Sequence, residues 1–242
     1  MSIDLAKALS IFINNFDMFM HGVMLTLLFA FVGTIVGLLI GLVIGGIRAI
    51  EINETDSNFV IIIKKVSQLF TRFYIWVLRG TPMMVQALFF YYFLKPVFHW
   101  NYLTAGLTVI SVNTGAYMAE IIRSGIQSIS KGQSEAAKSL GMSSFDALIY
   151  IIFPQAIKNS FPSIGNQLIV NIKDSSMLNV LSITELFFQT SSIAGSNYRY
   201  IETYLVSAVI YLILTSLASL LLNYTERRIN KSDRNSHVDF CS

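Results

Sequence analysis

Long apolar runs separated by short polar stretches organise this chain. They cover about residues 19–47, 70–94, 103–126, 156–180 and 201–222. A hydrocarbon layer needs about 20 apolar residues per helical crossing. The pattern therefore predicts an all-α, polytopic membrane protein with about five transmembrane helices, folded as a single domain over residues 1–242. The first run is too long for a cleaved signal peptide and is expected to stay in the membrane. Within it Gly33, Gly37, Gly41 and Gly45 recur every four residues. That stripe suits close helix packing in lipid, where dispersion drives association, or a glycine-lined passage.

Three runs carry polar features that lipid does not tolerate unaided. The second is broken by Arg79-Gly80-Thr81-Pro82. Glycine and proline so close together free backbone carbonyls, which protein or a water-filled cavity must satisfy. The third contains Glu120 and Arg123, one turn apart on one face. An ionisable group inside a span costs about 2.5–3.5 kcal/mol on insertion scales, so the two form either a structural pair near the membrane edge or a gate or substrate contact. In the fourth, Gln167, Asn171 and then Asp174 or Ser175 follow at helical spacing, flanked by Lys173 and Ser176. That face is expected to meet other helices or an aqueous path. Residues 182–199 read as a polar connection with a short apolar stretch around Leu186 to Phe188.

Between the third and fourth runs, about residues 130–155, lies a short helix with little core of its own. Ala136, Ala137 and Leu140 are expected on one face, and Gly141 is a natural stop. Ser143 or Ser144 then caps a second helical run, which Pro154 is expected to interrupt. A contact face of alanines lets another backbone come close, so the segment reads as a docking element for a soluble partner.

Basic residues orient the chain. Arg48, Lys64, Lys65, Arg72, Lys131, Lys138, Arg227, Arg228, Lys231 and Arg234 gather on one side, against Lys7, Lys95 and Arg199 on the other. The positive-inside rule then places the amino terminus outside and both the carboxyl terminus and the docking segment in the cytoplasm.

Composition agrees with a membrane protein: 54% of residues are hydrophobic and 13% charged, against about 25% charged in soluble domains. A net charge of +3, spread along the chain, gives no case for nucleic acid. The lone Cys241 sits in a polar tail and reads as a spectator thiol. No phosphate loop, zinc helix pair or nucleophile elbow is present, and His21, His99 and His237 lie far apart, so the chain is not read as an enzyme. A translocator driven by an external motor remains. The polar fourth run alone also suits a motor-free channel or secondary transporter, and the cytoplasmic helix alone suits a membrane scaffold.

Glu135-Ala136-Ala137, Gly141 after three intervening residues, and Ile151 with Pro154 resemble the signature loop of importer-type ABC permeases. The family's usual leucine before the proline is Phe153 here. Arg79-Gly80-Thr81-Pro82 with Val85-Gln86, then Ala116-Tyr117-Met118-Ala119-Glu120-Ile121-Ile122-Arg123, resemble the polar amino-acid branch. So do Gly165-Asn166-Gln167 and Lys173-Asp174-Ser175-Ser176. Members of that branch import histidine, glutamine, glutamate, arginine, cystine and related compounds. The likeness covers about residues 18–225.

The resemblance implies an importer-type ABC permease fold in a bacterial cell (inner) membrane. It implies a second permease chain, identical or related, and an extracytoplasmic amino-acid-binding protein. Two ATPase subunits would hold ATP and Mg, with no cofactor on this chain. The ATPase-docking residues would be Glu135, Ala136, Ala137, Ser139, Leu140, Gly141 and Pro154. The substrate path would use Gln167, Asn171, Asp174 and Ser175, then Thr81 and Gln86. Arg79, Glu120, Arg123 and Lys173 would be gating or structural.

Overall fold

The computed structural model describes residues 4–50, 52 and 57–238, with side chains as far as Ile229. Cys241, most of the polar loop from Glu51 to Asp56, and the side chains of Lys231, Arg234 and His237 lie outside the described residues. The described chain is helical: α1 (Leu5–Asn14), α2 (Phe16–Ala49), α3 (Asn58–Gly80), α4 (Met83–Phe98), α5 (Tyr102–Gln127), α6 (Lys131–Ser139), a single turn α7 (Ser144–Asp146), α8 (Phe153–Asp174), α9 (Leu186–Asn197) and α10 (Tyr200–Val238). A widened π segment, Ala147–Ile152, joins α7 to α8, and a 3₁₀ segment, Ser175–Leu181, follows α8.

Among the described residues, three helices have the length and composition to cross a membrane: α2, α5, and α10 from Tyr200 to Ile229. A fourth crossing is reached if α3 and α4 count together. The 22 residues of α8 extend about 33 Å at 1.5 Å per residue, long enough to cross. Its polar and charged side chains keep it outside the apolar class.

The centre of the bundle is the contact of α2 with α5. Gly33, Gly37, Gly41 and Gly45 face Ile110, Thr114, Met118 and Ile122, so both helices advance four residues per contact. A Cβ on Gly37 would lie 2.6 Å from Thr114 Cγ2, and one on Gly41 would collide with Met118. The stripe is thus a packing face. Without side chains, the α2 backbone approaches α5 closely enough for dispersion to hold them. Helix α8 closes on both, with Gly125 of α5 against Ala156 and Ser160.

The second apolar run does not form one helix: α3 and α4 meet at an angle of 114°. Thr81 and Pro82 are extended, with φ/ψ of −125/146° and −64/135°, because the pyrrolidine ring forces the preceding residue out of the helical region. Pro154 has the opposite outcome. Its missing N–H and ring are taken up by the π segment just before it, so the helix is widened there but continues.

Residues 182–199 also differ from a plain connection. Glu185 caps α9, its carboxylate accepting from Phe187 N at 2.9 Å and Phe188 N at 2.8 Å. Leu186 and Ile193 are buried with Phe19 and Ile210. The apolar stretch is one turn of a helix laid against α2 and α10, and the polar run from Gln189 to Ser192 that follows it masks the helix in sequence.

Gly46 lies one residue beyond the stripe, and a Cβ there would rest 3.5 Å from the Phe153 ring. Gly41→Ala should therefore destabilise the purified protein by about 1–3 kcal/mol through overpacking, while Gly46→Ala should be nearly neutral. Thermal unfolding in detergent reads the difference, and equal stability of the two variants would contradict the packing argument.

Candidate functional site

The polar residues of the bundle fall into a buried joint, a braced bend, an open cleft and an exposed hairpin. In the joint, Asn171 of α8 donates from Nδ2 to Thr34 Oγ1 of α2 at 2.8 Å. Its Oδ1 accepts from Thr114 Oγ1 of α5 at 3.1 Å and Gln167 Nε2 at 3.3 Å. All four residues are buried. One amide thus ties three helices, at the level where Gly37 meets Thr114. Ser175 is buried too, its hydroxyl returned to Ile172 O at 3.0 Å, while Asp174 is half-buried and Lys173 exposed.

At the bend, Gln86 Nε2 donates to Leu78 O and Thr81 O, each at 2.9 Å. Asn113 of α5 donates to Gln86 Oε1 at 2.9 Å, and Thr81 Oγ1 donates to Val77 O at 2.8 Å. The carbonyls freed by the Gly-Thr-Pro break are therefore satisfied by protein. Thr81 and Gln86, candidate path residues from sequence, serve the backbone at this bend.

The cleft lies between α5 and α8 and has a volume of about 780 Å³, within the usual range of about 300–1,000 Å³ for ligand pockets. It runs from Arg79 and Gln167 past Tyr117, Glu120 and Arg123 to Ser128 and Asn159. The Arg79 guanidinium sits 5.2 Å from the centroid of the Tyr117 ring. Asn159 Nδ2 donates to Ser128 Oγ at 2.9 Å where the cleft reaches the end of α5. Glu120 joins the wall to the bundle: it pairs with Arg48 of α2 and, at 2.8 Å, with Arg123, which donates to Gln127 Oε1 at 2.7 Å. Glu120 and Arg123 are paired, as their spacing one turn apart predicts, with Arg48 as a third member.

The hairpin begins one turn beyond α5. Met142 N donates to Ala137 O at 3.1 Å and Gly141 N to Lys138 O at 3.0 Å. This paired closure is a Schellman cap around Gly141, whose φ of +84° is left-handed and favours glycine. Glu135, Ala136, Ser139, Leu140 and Pro154 are exposed, Leu140 at 84%. Ala137 is turned inward and buried, because consecutive helical residues are rotated by about 100°. The outer face therefore pairs Ala136 with Leu140 and leaves Ala137 to pack the hairpin.

The structure thus brings Arg79, Glu120, Arg123 and Gln167 to one cleft, while Asn171 bonds to α2 and α5 and Thr81 and Gln86 bond to the backbone at the bend. Tyr117, Ser163 and Asn166 of the cleft and Thr34, Thr114 and Asn113 of the supports had no assigned role from sequence. Tyr117 and Asn166 do lie within motifs shared with the permeases. The supporting residues had no comparable signal, since their partners are 27 to 137 positions away.

Comparison with known proteins agrees with this architecture. The family described as binding-protein-dependent transport system inner membrane component matches residues 57–231. The glutamine transport system permease protein GlnP of Escherichia coli K12 is 40% identical over 159 residues, covering 64% of this chain and 73% of that protein. The probable glutamine ABC transporter permease protein GlnM of Bacillus subtilis 168 is 33% identical over 92% of this chain and 98% of its own length. A crystallised amino acid ABC transporter with histidines aligns at a TM-score of 0.79 and 38% identity, covering 94% of this chain and all of that one. The inward-facing MetNI methionine transporter, at 18% identity and a TM-score of 0.73, shares the fold. The chain belongs to the family of inner membrane components of binding-protein-dependent transport systems: it is a multi-pass ABC permease subunit, not the ATPase.

Gln86→Leu should remove the donor to Thr81 O and weaken the bonding of Leu78 O, which keeps only Asn113 Nδ2 at 3.3 Å, with a loss of about 1–3 kcal/mol. A lower unfolding temperature of the purified protein is the expected result. Impaired transport with unchanged thermal stability would instead place Gln86 in the path.

Proposed function

We propose that this permease imports polar amino acids, taking them from an extracytoplasmic binding protein and releasing them to the cytoplasm by alternating access. The names of GlnP and GlnM, and the histidines in the aligned transporter, support the substrate class. The observation that carries the proposal is an exposed, glycine-capped hairpin that follows in the chain directly on the end of α5, the helix that lines the polar cleft.

In this reading the amino terminus is outside and the carboxyl terminus cytoplasmic, and α8 is a fifth crossing shielded by α2, α5 and α10. A second permease chain closes the open side of the cleft. Two ATPase subunits, holding ATP and Mg, grip the hairpins of the pair through Glu135, Ala136, Ser139, Leu140 and Gly141, with Pro154 at the rim. Ala137 acts by holding the hairpin to the π segment. Arg79 offers a cation to the substrate carboxylate, and Gln167, with Asp174 beyond it, offers polar partners for the ammonium end. A zwitterion stripped of water needs both. Asn171 and Ser175 border this path and keep α8 in register, Thr81 and Gln86 hold the bend that presents Arg79, and Glu120 with Arg123 forms the gating or structural wall tied to Arg48. Lys173 stands at the outer end of α8.

Gly141→Val tests the coupling. A side chain at left-handed φ costs about 1–2 kcal/mol, enough to depopulate the hairpin about tenfold. Within this chain a Cβ at Gly141 meets nothing within 4 Å, so the membrane helices should insert as before. In proteoliposomes holding the assembled transporter, ATP hydrolysis should persist while ATP-dependent uptake falls by about that factor. Unchanged coupling would contradict the docking role. Uptake that follows an ion gradient without the ATPase would favour a secondary transporter, and absence of any flux a scaffold.

A further inference from the structure

The last turns of α3 rest on α5 at three successive points. Tyr74 Oη donates to Val112 O at 2.6 Å, and Asn113 Nδ2 donates to Leu78 O at 3.3 Å. The Arg79 guanidinium then lies over the Tyr117 ring, 5.2 Å from its centroid. Asn113 and Tyr117 are four residues apart and so share one face of α5. The first two contacts hold the helix. Only the third reaches the long, flexible side chain of Arg79.

That side chain has little else to order it. Arg79 stands near the end of α3 opposite Asn58, about 30 Å along the helix at 1.5 Å per residue. It is exposed, and beside it a Cβ on Gly80 would meet nothing within 4 Å. Glu120 lines the same cleft, yet its Oε1 accepts from Arg48 and its Oε2 from Arg123. Among the described residues, the Tyr117 ring is the partner shown for this guanidinium. Tyr117 itself is half-buried on α5 and lines the cleft, so the ring is a fixed surface. A ring face restrains a cation without cancelling its charge. The planar guanidinium then remains able to take a carboxylate through its N–H fork.

We propose that Tyr117 is a positioning residue for transport: its ring holds the Arg79 guanidinium at the cleft, where Arg79 meets the carboxylate of the carried amino acid. The inference rests on the carboxylate role of Arg79 and adds the group that orients it. Asn113 and Tyr117 then divide one task between them, the first setting the backbone of the bend and the second its charged side chain.

The test uses the assembled transporter in proteoliposomes with its binding protein at saturation, and reads ATP-dependent uptake. The probe is whichever of tritiated glutamine, histidine, glutamate and arginine the wild type imports fastest. Tyr117→Phe keeps the ring and should import within about twofold of the wild type. Tyr117→Leu should lower uptake about five- to thirtyfold, the range of a cation–ring contact out of water, with the unfolding temperature of Tyr117→Phe. Arg79→Gln should lose at least as much. Adding Tyr117→Leu to Arg79→Gln should cause no further loss, because the ring acts through the guanidinium. Losses that multiply in the double variant, or Tyr117→Phe as impaired as Tyr117→Leu, would overturn the positioning role and leave that of Arg79 standing. Wild-type uptake by Arg79→Gln would remove the carboxylate role and this inference with it. Failure of the wild type to import any of the four would overturn the transport reading itself.

Discussion

Close approach of α2 to α5 is the constraint from which the rest of the bundle follows. In lipid, separating two apolar helices exposes them to an equally apolar solvent, so area burial supplies little drive and contact must come from fit. Four glycines at four-residue spacing remove the side chains that would hold the backbones apart. Once the register is set, Thr34 and Thr114 lie at one level and Asn171 completes their hydrogen bonds. The same register brings Arg48 at the end of α2 to Glu120 of α5. A packing face, a polar joint and an ion pair are thus three levels of one helix contact.

The polar groups inside the bundle obey one rule: each has a partner supplied by a different helix or by the next turn. The break at Pro82 frees Leu78 O and Thr81 O, and Gln86 and Asn113 reach back to accept that burden. Glu185, fully buried, takes two backbone donors at the start of α9 and the Tyr211 hydroxyl at 3.2 Å. Because such groups are satisfied internally, they serve rigidity. Residues of the open cleft are bonded as well, Gln167 to Asn171, Glu120 to Arg123 and Asn159 to Ser128, while Arg79 lies over the Tyr117 ring.

Cleft and hairpin share α5. Its inner face packs on the glycine stripe, its edge lines the cleft from Tyr117 to Ser128, and the hairpin follows within a few residues. The Arg48–Glu120–Arg123 cluster joins that edge of α5 to the end of α2. The Schellman cap closes the hairpin at Gly141.

Periodicity alone determined much of this protein. It marked the apolar helices, the glycine stripe as a contact face, the break at Arg79 to Pro82, and the exposed hairpin ended by Gly141, since each depends on residues near one another in sequence. The tertiary structure decided what those features meet. That Gln86 braces the bend and Asn171 joins three helices, that Ala137 points inward, and that Leu186 opens a buried helix all depend on partners distant in the chain. A spacing of four says which residues share a face; only the packing of the other helices says whether that face sees lipid, protein or water.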